Sequence, residues 1–600
     1  MLKLCKCVHL SENFLYLCIM ILKQMVMKKI LSFVLVALAR ECDLLRRKKI
    51  RVRYLNNLMI LTMKTICKIQ WTQAAILFCG LLTMGFTSCT SDNVDNASVE
   101  IRDLGYDIKN VKVIESGFMS TQDIYKDIVD DHSDLQTDDD FMYYNWGNEQ
   151  LNALQNQYNA GTRVGEDGES GETFAGMKYV TIRYKTIGAD GSEKELSELV
   201  AYTQNAAGDN PTRKVKNLII GCHYTITSNK ERPTNFKNLD FGTDVNMMTI
   251  LGASETCLVV VPDYEGYGST SGDPHPYCCR DVTARQVIDG AKAAVVWFEE
   301  NVAKMEPEWK SVAVGYSQGG AVAASIPNYY YAKKLTGLNL VGAVCGDGPY
   351  DPLATLKQYI KDDRLYMPVA SALLLKGMVD TNKEMKAQGC TYKDFVTDKF
   401  YDTGIFDWLQ GKDYTTDDIQ AKLLNHSAKY GGESGFTMMA MYQNEFKPYI
   451  PENIKEGDKN WQLTNGKAMN YCTVDQCFKP GVIEYFKSGT MTGDVPEAKL
   501  KALEQALKEN GLTYGDWKPS GAYPHAYHFF HSTRDEVVPF CNYERVREAW
   551  GTNLIYGNPF QSDMAYLHVG TGANFYIFRA TGYARDILGQ KWAPGEKTIK

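Results

Sequence analysis

Short apolar runs recur along the middle of the chain at the spacing of buried strands. Tyr179 to Tyr184 (YVTIRY) alternates as a strand does, and Leu196 to Tyr202 (LSELVAY) follows after the turn Ala189-Asp190-Gly191. Val215 to Gly221, Cys257 to Val261, Val312 to Gly315 and Leu340 to Cys345 are mostly apolar throughout, as strands buried on both faces are. Val282 to Asn301 carries small residues where a helix would pack against a sheet. From Pro352 to about Pro519 the strand pattern lapses, and amphipathic stretches such as Ala370 to Met385 and Glu497 to Asn510 take over. That is too long for a loop in a compact domain, so an inserted helical cap is expected. Strands resume at Tyr527 to His531 and Asn553 to Tyr556, and a last helix is expected near Ala573 to Leu588. The pattern predicts an α/β fold with a mostly parallel central sheet. Residues 173–352 and 521–600 form its two core parts, and 353–520 form the cap.

The start of the chain reads differently. Met63 to Cys89 has two lysines, a short apolar run from Ala74 to Phe86, and small residues before a cysteine. This is the form of a bacterial lipoprotein signal, 63–88, with Cys89 as the lipid attachment point. Residues 89–172 are then a tether and N-terminal extension. In them, Asp103 to about Asn159 is acidic and helical in flavour, and Gly161 to Glu172 is a Gly/Glu-rich linker. Residues 1–62 hold a second signal-like run, and two tandem export signals make no physical sense. Translation is therefore expected to begin at Met63. The protein is expected to be exported and lipid-anchored at a bacterial cell envelope.

Composition narrows the partners. At 44% hydrophobic and 23% charged residues the chain is of globular type. A net charge of -7 offers no footprint for a phosphate backbone, so nucleic acid is excluded as a partner. The 16 cysteines are too scattered for a disulfide scaffold. Cys222, Cys257 and Cys345 fall in strands, where a thiol is a small hydrophobe; Cys472 and Cys477 could close a small loop in an oxidising compartment.

The central motif is Gly315-Tyr316-Ser317-Gln318-Gly319-Gly320, between a predicted strand and a predicted helix. Two glycines permit the sharp turn that leaves Ser317 exposed at the carboxyl end of the sheet. The helix N-terminus offers the Gln318 N–H to a developing oxyanion. Asp535 lies in the loop after the strand ending at His531, with Asp347, Asp351, Glu536 and Asp563 as competing carboxylates. An order of Ser, acid, His along the chain leaves His568 alone as the base, because no other histidine follows Asp535. His525, His528 and His531 cannot converge on one ion from a strand, since a spacing of three sets neighbours on opposite faces. No metal or organic cofactor is expected. A second oxyanion donor is expected from Tyr224 or Thr225, and His223 is a candidate for shaping the pocket.

Val259 to Tyr277 (VVVPDYEGYGSTSGDPHPY), Gly315 to Gly320, His531 to Pro539 (HSTRDEVVP) and His568 resemble the secretory lipase family of α/β-hydrolases. The resemblance covers roughly Tyr179 to Leu588, although the 221–225 loop does not match a family motif closely. It implies carboxylic ester hydrolysis, with Asp263 to Gly266 in the floor of the site. Asp263, Tyr264 and Tyr316 are accordingly expected around an ester-containing small molecule or lipid. The competing readings are a serine peptidase or an acyltransferase on the same fold, and a non-catalytic ligand-binding surface lipoprotein.

Overall fold

The structure is a computed structural model. It describes residues 110–120, 123, 174–205, 215–239, 243, 245, 248–249, 257–426, 433–442, 468–514, 526–551, 560–562, 567–572 and 577–589, all within the unit 101–600. The expectations for 1–62, the signal 63–88, Cys89, the linker 161–172, the strand 553–556, His525 and Asp563 lie outside these residues.

The apolar runs become one twisted sheet. Its strands are β1 (Lys112–Ser120), β2 (Phe174–Ile187), β3 (Glu193–Asn205), β4 (Asn217–Cys222), β5 (Cys257–Pro262), β6 (Lys310–Tyr316), β7 (Leu340–Gly346), β10 (Ala526–Phe530) and β11 (Phe560–Gln561). They run in the order β1-β2-β3-β5-β4-β6-β7-β10-β11. β1, β2, β3 and β5 pair antiparallel in succession, and from β5 to β11 every pairing is parallel. This is the α/β-hydrolase arrangement. The strand order reverses around β4, which lies between β5 and β6, and a crevice at the carboxyl ends of such strands is where open α/β sheets bind ligands.

Each strand divides its apolar residues between two faces. Leu258 and Val260 of β5 join Leu218 and Ile220 of β4 in the core under helices α1 (Arg280–Asn301) and α2 (Gln318–Ala332). Their neighbours Val259 and Val261 join Val312 and Val314 on the opposite face, the alternation a pleated strand imposes. The small residues Ala284, Ala291 and Ala294 of α1 are buried there, which lets the helix sit close to the strands.

The insertion between β7 and β10 is built from α3 (Pro352–Asp362), α4 (Pro368–Thr381), α5 (Thr416–His426), α6 (Glu497–Glu509) and shorter helical turns. It is not wholly helical, for β8 (Met439–Tyr442) and β9 (Ala468–Tyr471) pair antiparallel within it. Leu356, Met378, Phe400, Phe436 and Leu503 form its core, and Tyr277 and Cys278 of the body are part of the same cluster. Cys472 and Cys477 are both buried there, with their sulfurs 3.5 Å apart as free thiols. After the insertion come α7 (Cys541–Trp550), α8 (His568–Thr571) and α9 (Ile577–Gly589), the last on the β5/β6 face opposite α1.

The helical reading of the N-terminal extension fails at 112–120, which is strand β1. Its sequence, KVIESGFMS, has little local preference, and the edge of β2 decides its state by pairing from Lys112 to Ser120. Strand preference is largely a matter of such neighbours. Ion pairs from Lys112 to Glu195 (2.5 Å) and from Lys237 to Glu115 (2.6 Å) lie at the solvent surface of this edge. Among the described residues no helix is long and apolar enough to cross a membrane.

Candidate active site

Ser317 stands between β6 and α2 with φ 55° and ψ -122°, a conformation costing of order 1–3 kcal/mol for a residue with a side chain. The turn is possible because both flanking glycines touch backbone. A Cβ on Gly315 would lie 2.0 Å from the Gly319 carbonyl oxygen, and one on Gly319 would lie 1.9 Å from that of Cys222. The Ser317 N–H donates to the Gly346 carbonyl at 2.9 Å, which fixes the turn against β7.

The structure brings Ser317, His568 and Asp535 into one hydrogen-bonded chain. Ser317 Oγ is 3.0 Å from His568 Nε2, and His568 Nδ1 is 2.6 Å from Asp535 Oδ2. All three are buried. Asp535 Oδ1 accepts the N–H groups of Val537 and Val538 at 2.9 and 2.6 Å. Burial, and then Glu536, push the Asp535 carboxyl upward, but its N–H donors hold it as an anion. Nδ1 therefore carries the imidazole proton and Nε2 faces Ser317 as an acceptor. Burial lowers the His568 pKa below its ordinary value.

The competing carboxylates have other employment. Asp351 caps α3, accepting the Ala354 N–H at 2.9 Å. Glu536 accepts the backbone N–H of His568 at 2.9 Å. Asp347 accepts the Ser532 N–H and contacts the Tyr316 hydroxyl. Asp347, His531 and Asp535 offer donor atoms within 4.8 Å of one another, but these hydrogen bonds already occupy the carboxylates. His528 turns the other way and stacks on Tyr583, with centroids 3.6 Å apart.

Of the other sequence-derived site residues, Tyr224, Thr225 and Tyr316 line a cavity together with Ser317 and His568. Gln318 is the first residue of α2, a position whose backbone N–H has no acceptor within the helix. His223, Asp263 and Tyr264 do not line that cavity, which corrects their expected contact with substrate. Asp263 is a buried clamp: its carboxylate accepts Ser197 Oγ (2.6 Å), Thr234 N (2.9 Å) and Thr234 Oγ1 (2.7 Å), tying β3 to the turn after β4. Burial raises its pKa to about 6. Tyr264 is buried at φ 65°, with its ring stacked on that of His223 at 4.1 Å. His223 is wholly buried, which lowers its pKa to about 4.

The motif around His275-Pro276-Tyr277 holds a positioning contact that sequence reasoning left unassigned. His275 Nδ1 is 2.7 Å from the Glu265 carbonyl, so it carries the proton, and Nε2 accepts from Gln318 Nε2 at 2.9 Å. The residue after Ser317 is thus moored to the loop after β5. The pairing of HPY with the elbow in one sequence was the available signal; the partner atom was not.

The cavity has a volume of about 310 Å³, within the range that holds a small ligand. Its walls are mainly apolar and come from both parts of the fold: Val537, Val538 and Val569 from the body, Met367, Ala370 and Leu374 from the insertion. Among the described residues, its acidic lining residues are Glu231 and Asp417.

Residues 231–400 match the secretory lipase family. The matched stretch contains the loop after β5, the HPY segment and the Ser317 turn. The secretory lipase resemblance is thereby borne out, and the match supports ester hydrolysis as the reaction class. No curated protein matches the chain. Among solved structures, a protein of Legionella pneumophila subsp. pneumophila str. Philadelphia 1 is similar at 17% identity, over 80% of this chain and 99% of that one, with a TM-score of 0.50. The rice cell wall degrading esterase of Xanthomonas oryzae is similar at 15% identity, over 80% and 96% of the two chains, with a TM-score of 0.48. At 17% identity the likeness to the Legionella protein is one of fold.

Proposed function

We propose that this chain is a serine hydrolase that cleaves carboxylic esters through an acyl-enzyme, with Ser317 as nucleophile, His568 as base and Asp535 as the acid that orients it. The observation carrying this is the chain Ser317 Oγ, His568 Nε2 and Nδ1, Asp535 Oδ2, with contacts of 3.0 and 2.6 Å. His568 takes the Ser317 proton as Oγ attacks the ester carbonyl, and Asp535 stabilises the imidazolium. The oxyanion is bound by the Gln318 N–H and by a second N–H from Tyr224 or Thr225. His568 then protonates the leaving alkoxide, and water, activated by the same imidazole, releases the acid.

An apolar cavity lined by Met367, Leu374, Val538 and Val569 favours an ester with an apolar acyl or alcohol group. Among the described residues its lining carries no lysine or arginine to hold a substrate carboxylate, which favours the ester reading over a peptidase. The signal-like segment ending at Cys89 supports an exported, lipid-anchored protein.

The test is fluorophosphonate labelling of soluble protein beginning after Cys89, with the adduct mapped by mass spectrometry. A single adduct on Ser317, lost in His568→Ala, is the expected result. Folded protein that takes no adduct, or takes it elsewhere, would sink the assignment.

A further inference from the structure

One hydroxyl beside the triad faces two acceptors. Tyr316 Oη is 2.6 Å from the carbonyl oxygen of His568 and 2.8 Å from Asp347 Oδ2. A phenol has one proton to donate, and a carbonyl can only accept. Both contacts are hydrogen bonds only if the phenol donates to His568 and accepts from Asp347. The second Asp347 oxygen accepts the Ser532 N–H at 3.0 Å, so the donating proton sits on Oδ2.

We propose that Asp347 is a neutral carboxylic acid in the working enzyme and a positioning residue that locks the His568 turn through Tyr316. This rests on the triad reading above.

The charges around Asp347 agree. From the loop after β10 it faces His531, Asp535 and Glu536; from α8, His568; from β6, Tyr316; from its own loop, Tyr350. His531 Nε2 donates to the Val538 carbonyl at 2.9 Å, and Nδ1 has no partner and stands 3.9 Å from Asp347 Oδ1, beyond hydrogen-bond reach. Burial lowers the His531 pKa, keeping the ring neutral. Asp535 is matched by His568 during turnover, and Glu536 faces Arg534. Burial outweighs the opposing influence of His531 and His568 and raises the Asp347 pKa to about 7. Once it ionises, the Tyr316 proton is drawn to the carboxylate and the His568 carbonyl loses its donor.

The experiment is the pH profile of kcat/KM for a p-nitrophenyl butyrate probe, run on the full chain and three variants. Wild type should show an alkaline limb with its midpoint near 7, falling up to about tenfold per pH unit. Asp347→Leu can neither donate to Tyr316 nor accept from Ser532 and should lose at least about tenfold in kcat. Asp347→Asn, a permanently neutral donor, should recover most of that loss and flatten the limb. Tyr316→Phe removes the bridge and should flatten it too, which keeps the test open if the Asp347 variants fold poorly. A limb retained in Asp347→Asn or in Tyr316→Phe, or no limb in wild type, would overturn the inference. Ser317→Ala in the same assay reports on the triad by itself: if it is inactive while the limb persists in the variants, only the Asp347 inference has failed.

Discussion

Gly319 rests on Cys222: there is room for no more than a hydrogen between its Cα and the carbonyl at the end of β4. The contact joins the Ser317 turn to the strand whose following residues, Tyr224 and Thr225, line the cavity. Gly319→Ala pushes the two apart, and because the obstacle is backbone, no rotamer change relieves it. The expected cost is about 1–3 kcal/mol in stability, read as a lower Tm, with slower fluorophosphonate labelling of Ser317. An unchanged Tm and labelling rate would mean the elbow does not depend on this contact.

The acid side of the pH profile follows from His568. In the proposed mechanism its neutral form is the base, and burial lowers its pKa below 6.5. Activity should therefore fall on the acid side as the pH drops through a midpoint below 6.5, separate from the alkaline limb near 7 that Asp347 sets. A midpoint above 6.5 in kcat/KM would contradict the burial seen here.

Leu374 faces the cavity from α4, on the insertion and away from the triad. Leu374→Trp should fill part of the 310 Å³ space. We expect KM for long-chain p-nitrophenyl esters to rise about tenfold or more, with the acetate ester little changed. An equal effect on both would show that the acyl chain lies elsewhere.

Asp263 was expected in the floor of the site and is instead a clamp between β3 and the turn after β4. Asp263→Ala leaves the half-buried Thr234 N–H without its acceptor, at a cost of about 1–3 kcal/mol. Urea unfolding should show that loss, while KM for a small ester stays unchanged. A raised KM with unaltered stability would restore the substrate-binding role.

What the sequence disclosed was what local chain geometry determines. The strand–Gly–x–Ser–x–Gly–helix pattern around Ser317 has one steric solution, and the order along the chain left His568 without a rival. The parallel strands were legible because burial on both faces makes each an unbroken apolar run. β1 was not, since KVIESGFMS acquires its state from the edge of β2. Nor was the division of labour between Asp535 and its neighbours Asp347 and Glu536, which depends on which backbone N–H groups and rings meet after folding. His223 and Tyr264 carried chemistry-bearing side chains in suggestive loops, yet they stack on each other and do not line the cavity, a placement no spacing rule reports.

The wall of the cavity is drawn from two separate stretches of the gene. Residues that would perform bond cleavage lie on the sheet's loops, whereas Met367, Ala370 and Leu374 belong to the inserted stretch. Random change in the second stretch can therefore reshape what fits without disturbing the atoms that react. A family built this way can diversify its diet while inheriting its chemistry intact, and exchange of the 353–520 segment between relatives would be the direct way to move a preference from one to another.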